Sequence, residues 1–300
     1  MLRRIQEAGQ WCFHTLDGFF NTAFGERLNP LYHLGPIAYL LFWIVLGSGL
    51  YLYAFFDTGV DAAYASVEQL THGQWYLGGV LRSVHRYASD AMVLAMVLHL
   101  TRHFVFDRHR SFRWFSWVSG VVLLWMIFAS GVNGYMLPWD KLAQFTTVAT
   151  AEWLDALPFL NGALIRNFAF AGAVNDRLFS LLSFIHIGLP LAAWALLWIH
   201  TQRVPQARSA PPRPIALWLV ASLLVLSLLK PALSQEPANL STVATGLDFD
   251  WFYLLAYPLI YRWSPGGLWL LAGGATLLVL LLPWLPPRRR GAQAGAAILF

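Results

Sequence analysis

The chain has 300 residues, 58% of them hydrophobic and 12% charged, with a formal net charge of +5 at pH 7. Soluble domains are about 25% charged, so this composition argues against a water-soluble domain and for a membrane protein. The single cysteine, Cys12, excludes a disulfide framework.

Residues 1–30 open with MLRRIQEAGQWCFHTLDGFF, which lacks an apolar run followed by a small-residue cleavage site. The segment reads as a retained amphipathic helix on the membrane surface, not a signal peptide. A membrane span needs about 20 mostly apolar residues, and six segments qualify or come close. They are span A (roughly 36–56), B (84–106), C (115–137), D (178–200), E (214–233, the shortest) and F (267–285). The stretch WFYLLAYPLIY at 251–261 is too short to span and reads as an interfacial or re-entrant helix.

This predicts an all-α polytopic protein of about six transmembrane helices. A four-span core covers 31–202, a two-span region with its E–F loop covers 203–286, and a tail covers 287–300. The N-terminus, the B–C and D–E loops and the tail carry the arginines, while the A–B, C–D and E–F loops hold most of the acids. Positive charge marks the cytoplasmic side, so both termini are expected inside, in the cytoplasmic membrane of a bacterium. The basic balance follows from this asymmetry and gives no reason to expect nucleic acid.

Spans B and D each carry two histidines in otherwise apolar helix: His85 and His99, and His186 and His200, both pairs 14 residues apart. Fourteen residues are close to four helical turns, so the two rings share a face about 21 Å apart along the axis. B and D run in the same direction, which pairs His85 with His186 near the outer face and His99 with His200 near the inner face. Ionisable groups in a membrane are costly and mark function. Haem iron takes two axial imidazoles in many electron carriers, whereas zinc needs a tight cluster of four ligands that this spacing cannot supply. The four rings are therefore candidate iron ligands of two non-covalent b haems in a four-helix bundle. His14, His33, His72, His103 and His109 lack the symmetry and read as ordinary packing or surface residues.

The glycines repeat the period. Gly35 and Gly49 in span A, and Gly120 and Gly134 in span C, are again 14 apart. Each offers room for a haem plate against the backbone; ordinary small-residue packing between spans is the alternative. Arg82 and Arg86 flank His85, and Arg177 lies nine residues before His186; Arg82 and Arg177 suit anionic haem propionates, unless they only snorkel to the interface, and Arg86 is left open between the two.

These features, with LRSVHR at 81–86, GYMLPWD at 134–140, HIGLP at 186–190, EPANL at 236–240 and DWFYLLAY at 250–257, resemble the cytochrome b/b6 family of quinol–cytochrome c or plastocyanin oxidoreductases. The resemblance covers roughly residues 10–285. LRSVHR and LPWD are similar to the chloroplast-type branch, the span-D spacing to the mitochondrial and bacterial branch. It implies quinol oxidation near the outer face, between the C–D helices and the E–F loop, and electron transfer through the two haems to an inner quinone site. It also implies proton release outside, a Rieske iron–sulfur protein and c-type cytochrome as partners, surrounding lipid and a dimeric complex. Family members usually carry further helices after span F, so a separate subunit is expected to supply them.

Departures from the pattern are informative. The family's Pro-Glu-Trp-Tyr motif reads Phe249-Asp250-Trp251-Phe252 here. Asp250 keeps a carboxylate, and with Trp251 it is the expected catalytic pair; desolvation against the aromatic rings is expected to raise its pKa. Asp250 as a helix cap or solvated loop residue, with Asp248 in its place, is the alternative. Pro205 stands where the family has an inner-site histidine, with Arg203 a weak substitute. His33 stands where the chloroplast branch has a haem-bearing cysteine, so no covalent haem is expected. The altered motif keeps open a related diheme module that links quinone to a multihaem cytochrome or molybdenum enzyme without a Rieske protein. A transporter with histidine proton relays would leave the 14-residue spacing unexplained.

Overall fold

The computed structural model describes residues 2–169, 174–204, 207–250 and 252–285. Among these the chain forms ten α-helices and no strand; its only pairing of that kind is an isolated bridge between Asp140 and Pro237. Four segments are long and apolar enough to cross a membrane: Leu34–Ala54, Ser111–Gly134, Asp176–Gln202 and Pro265–Trp284. They contain helices α2 (Leu34–Ala54), α5 (Trp114–Gly134), α7 (Asp176–Gln202) and α10 (Pro265–Leu281). The protein is thus a polytopic helical membrane protein.

Two of the six expected spans fall outside that set for different reasons. Helix α4 (Val80–Val105) has ample length, but it carries Arg82, Arg86, Asp90 and Arg102 as well as its histidines. Several helices pack on it: α4 runs along α2, touches α5 and α8, and receives α1 at its end, while Leu94 and Val97 stay exposed. Helix α8 (Arg213–Leu229) has 17 residues and stops at Lys230, ahead of Pro231, which cannot continue the helix. The short helix α9 covers only Tyr257–Arg262, not 251–261. Asp250 accepts the backbone N–H groups of Phe252 and Tyr253, holding that part as a turn, and Pro258 fits the first turn of the helix that follows.

Helix α1 (Leu2–Phe24) turns Phe13 and Asp17 inward and leaves Trp11, Phe19 and Phe24 exposed. It docks on the last turn of α4 through polar contacts. Gln6 and Gln10 donate to the carbonyls of Phe104 and Val105, each at 2.9 Å, at the helix end where carbonyls lack their full set of intrahelical partners. Arg102 makes a two-pronged pair with Asp17 at 2.8 and 3.1 Å.

The remaining packing is two helix pairs, α2 with α4 and α5 with α7. Leu41, Ala88, Met92, Ile127 and Ala193 fill the middle of the bundle and are buried. Past α5, Asp140 caps α6 (Lys141–Asp155) by accepting from Ala143 N at 2.8 Å, and its other oxygen accepts from Gln235 N at 2.9 Å. The Gln144 amide group donates to the carbonyls of Asn239 and Thr242, and Lys141 pairs with Glu236 at 2.7 Å. The EPANL loop is therefore fastened to the start of α6, and the two long connections meet at one end of the bundle.

Candidate functional site

Each of the four histidines stands against one of the four glycines. A Cβ added at Gly49 would lie 2.9 Å from His85 Cε1, and one at Gly134 would lie 2.9 Å from His186 Cε1. At Gly35 the contact with His99 would be 3.2 Å, and at Gly120 the contact with His200 would be 3.5 Å. The helix pairing explains this: α2 presents its glycines to α4, and α5 presents its glycines to α7. Any side chain at Gly49 or Gly134 would displace the ring.

At the first level the His85 and His186 ring centres are 6.1 Å apart, with planes at 59°. A metal held about 2 Å from one nitrogen of each imidazole spaces the ring centres roughly 6 Å apart. The other nitrogens are already engaged. His85 Nδ1 faces the Val45 carbonyl at 3.0 Å and Ser48 Oγ at 3.1 Å, and His186 Nδ1 faces the Ser130 carbonyl at 3.0 Å. Such contacts fix ring orientation and leave Nε2 to coordinate. Pro190 adds a local device. Four residues after His186, it has no N–H to give the His186 carbonyl, and Ser130 Oγ donates to that carbonyl at 3.4 Å.

At the second level His200 Nδ1 faces Ser119 Oγ at 2.8 Å, and His99 stands against Gly35 of α2. The parallel run of α4 and α7 follows from the two pairings. A cavity of about 290 Å³ opens beside His99, lined among others by Gly35, Arg102, His103 and Arg108. Sequence reasoning set His103 aside; its ring packs edge-on against His99 at 4.5 Å between centres. It also missed the serines, although Ser48 and Ser119 each directly precede a glycine of the repeat.

These residues fit haem. Two imidazoles face each other at the spacing one iron requires, backbone and serine oxygens set both rings of that pair, and glycines leave the clearance.

The flanking groups are less convergent. Arg82 donates to Thr71 Oγ1 and Ser234 Oγ and lies 3.6 Å from Glu68, so its guanidinium already has partners. Arg177 is exposed on the first turn of α7, about 13 Å along the axis from His186. Asp250 differs from expectation. Burial pushes its carboxyl up, but the Tyr135 hydroxyl at 2.6 Å, the N–H groups of Tyr253 and Phe252, and the Arg86 guanidinium together hold it below the usual carboxylate range. The sequence showed the aromatic neighbours but not these donors. Trp251 lies outside the described residues.

The cytochrome b/b6/petB family model matches residues 20–206, more than half of the chain. Among solved structures, the chain is similar to one described as a hyperthermophilic respiratory Complex III, with a TM-score of 0.68 and 22% identity over 86% of this chain and 76% of that one. That likeness shows a shared fold, and the family match extends from the end of α1 through both histidine helices. With one facing pair of imidazoles inside that span and all four histidines seated against glycines, the chain belongs to the cytochrome b/b6 family, as a membrane subunit that binds haem b and serves electron transport.

Proposed function

We propose that this chain is the diheme cytochrome b subunit of a bc-type complex, with His85 and His186 holding one haem b and His99 and His200 the other. The one-to-one seating of four histidines against four glycines, at two levels of one bundle, carries this reading. Each haem supplies a one-electron ferric–ferrous couple. The protein aims the rings through Val45, Ser48, Ser119 and Ser130, and the apolar layer of Leu41, Ala88, Met92 and Ala193 keeps water out between the levels. Arg177, and Arg82 after exchanging its present partners, are the residues for the outer propionates.

Quinol is oxidised at the His85/His186 end, near Asp250, with Trp251, next in sequence, as its expected partner, and quinone is reduced at the His99/His200 end. Protons leave outside and enter inside. Six spans, α4 and α8 included, in the cytoplasmic membrane of a bacterium put both termini inside. A Rieske protein, a c-type cytochrome and a second copy of the complex are the partners; the likeness in fold to a respiratory Complex III structure supports this assembly. A second reading, a diheme quinone-linked subunit of a non-Rieske redox complex, is favoured by the hold of Arg86 and Tyr135 on Asp250, which leaves that carboxylate a weak base. A Rieske protein copurifying with the complex decides between the two.

The assignment is tested with single variants. His85→Ala or His186→Ala should each leave one haem per chain with one redox midpoint, and His99→Ala or His200→Ala should leave the other. The reading fails if a pair mate, such as His85 and His186, affects different haems.

A further inference from the structure

Asp90 stands ten residues into α4 and six into the expected span B, about 9 Å inside it. The hydrocarbon layer of a bilayer is about 30 Å thick, so this carboxyl lies at membrane depth, where an ionised group without partners is expensive. Its Oδ1 is buried and accepts no hydrogen bond, and its Oδ2 lies 3.7 Å from Arg86 Nε, which itself has no hydrogen-bond partner.

Asp250, across the same guanidinium, has the opposite surroundings. Arg86 Nη2 and the Tyr135 hydroxyl donate to its Oδ2, and Phe252 N and Tyr253 N donate to its Oδ1 at 2.8 and 3.0 Å. One turn before Arg86, Arg82 is balanced by Glu68 at 3.6 Å, and the remaining groups in contact with the pair are neutral. Tyr253 shares its hydroxyl with Ser89 at 2.7 Å, Tyr87 donates to the Lys230 carbonyl at the end of α8, and Tyr135 comes from α5.

Two carboxyls thus share one cation. If both were ionised, the cluster would carry a net negative charge in apolar surroundings, and one of two carboxylates in such a site keeps its proton. The proton goes to the oxygen pair with the fewest donors.

We propose that Asp90 is the carboxyl of this cluster that holds a proton at neutral pH, with Asp250 the ionised anchor of Arg86, and that Asp90 exchanges its proton with quinol bound at the His85/His186 end. The exchange breaks the carboxyl O–H bond as the proton leaves outward and forms a new one with a proton from the quinol hydroxyl. This second half rests on the function proposed above; the first half does not.

The test is the infrared spectrum of the purified complex near neutral pH, read at the carbonyl stretch of a protonated carboxylic acid, which a carboxylate lacks. Asp90→Asn should remove that band, and Asp90→Glu should shift it. Asp250→Glu should leave it in place, because the charge count is kept. A band that moves with Asp250→Glu and not with Asp90→Glu overturns the assignment, as does a spectrum in which neither Asp90 variant changes the band. Quinol-dependent cytochrome reduction should fall at least about tenfold in Asp90→Asn and recover in part in Asp90→Glu, with both haems retained. Wild-type turnover in Asp90→Asn overturns the exchange role. A haem count below two per chain would sink the diheme reading while leaving the infrared result decisive for Asp90.

Discussion

Gly49 and Gly134 each leave 2.9 Å between an added Cβ and a histidine ring, whereas Gly120 leaves 3.5 Å. The first distance forces a ring held by backbone carbonyls to move; the second is ordinary contact. Substitution by alanine should therefore lower haem content most at Gly49 and Gly134, less at Gly35 and least at Gly120, as measured by absorbance per chain in purified variants. Equal losses at all four positions would contradict the seating described. Ser119 is tested differently. Its hydroxyl is the contact found for His200 Nδ1, and groups that orient a metal-bound imidazole are typically worth 10–100-fold in affinity. Ser119→Ala should loosen the haem at that level by about that factor in haem-transfer titrations and leave the other level unchanged.

Element by element, the ends of α4 hold most of the consequences. At one end α1 is fastened by Asp17 and Arg102, whose side chains are 10% and 15% exposed. Removing one partner of a mostly buried pair strands the other, at a cost of about 3 kcal/mol. Asp17→Ala should lower the thermal midpoint of the purified protein and make α1 the first segment cut by protease; an unchanged midpoint would show that α1 docks by its apolar residues alone. At the other end Asp250 pins the loop to Arg86 and Tyr135. Its folded pKa lies below the unfolded value, so this contribution is complete above about pH 4 and is lost as pH falls through the folded pKa. Acid should release the loop before the bundle, which hydrogen exchange of residues 234–256 between about pH 6 and pH 3 would show. The histidine helices were legible in the sequence because period and apolarity coincide there. The short helix expected at 251–261 is there as α9, but its start was not legible, because nothing in WFYLLAYPLIY says that Asp250 holds Phe252 and Tyr253 in a turn ahead of it. The raised pKa expected for Asp250 failed for a related reason: Arg86, Tyr135 and the backbone donors come from parts of the chain that only the fold brings together. The Ser-Gly steps at 48–49 and 119–120 were visible, yet their use as imidazole partners depends on the pairing of α2 with α4 and α5 with α7.

At the scale of the molecule, the proposed function rests on two levels of histidines seated against glycines with an apolar layer between them; a haem at each level would carry electrons where hydrocarbon offers no other route. The measurement that bears most directly on this is a dithionite-reduced minus oxidised spectrum of the purified protein, with haem quantified per chain and titrated against potential. The account predicts two b haems per chain with two midpoints. A single haem, or none, would contradict it and return the paired histidines to a packing or proton-relay role.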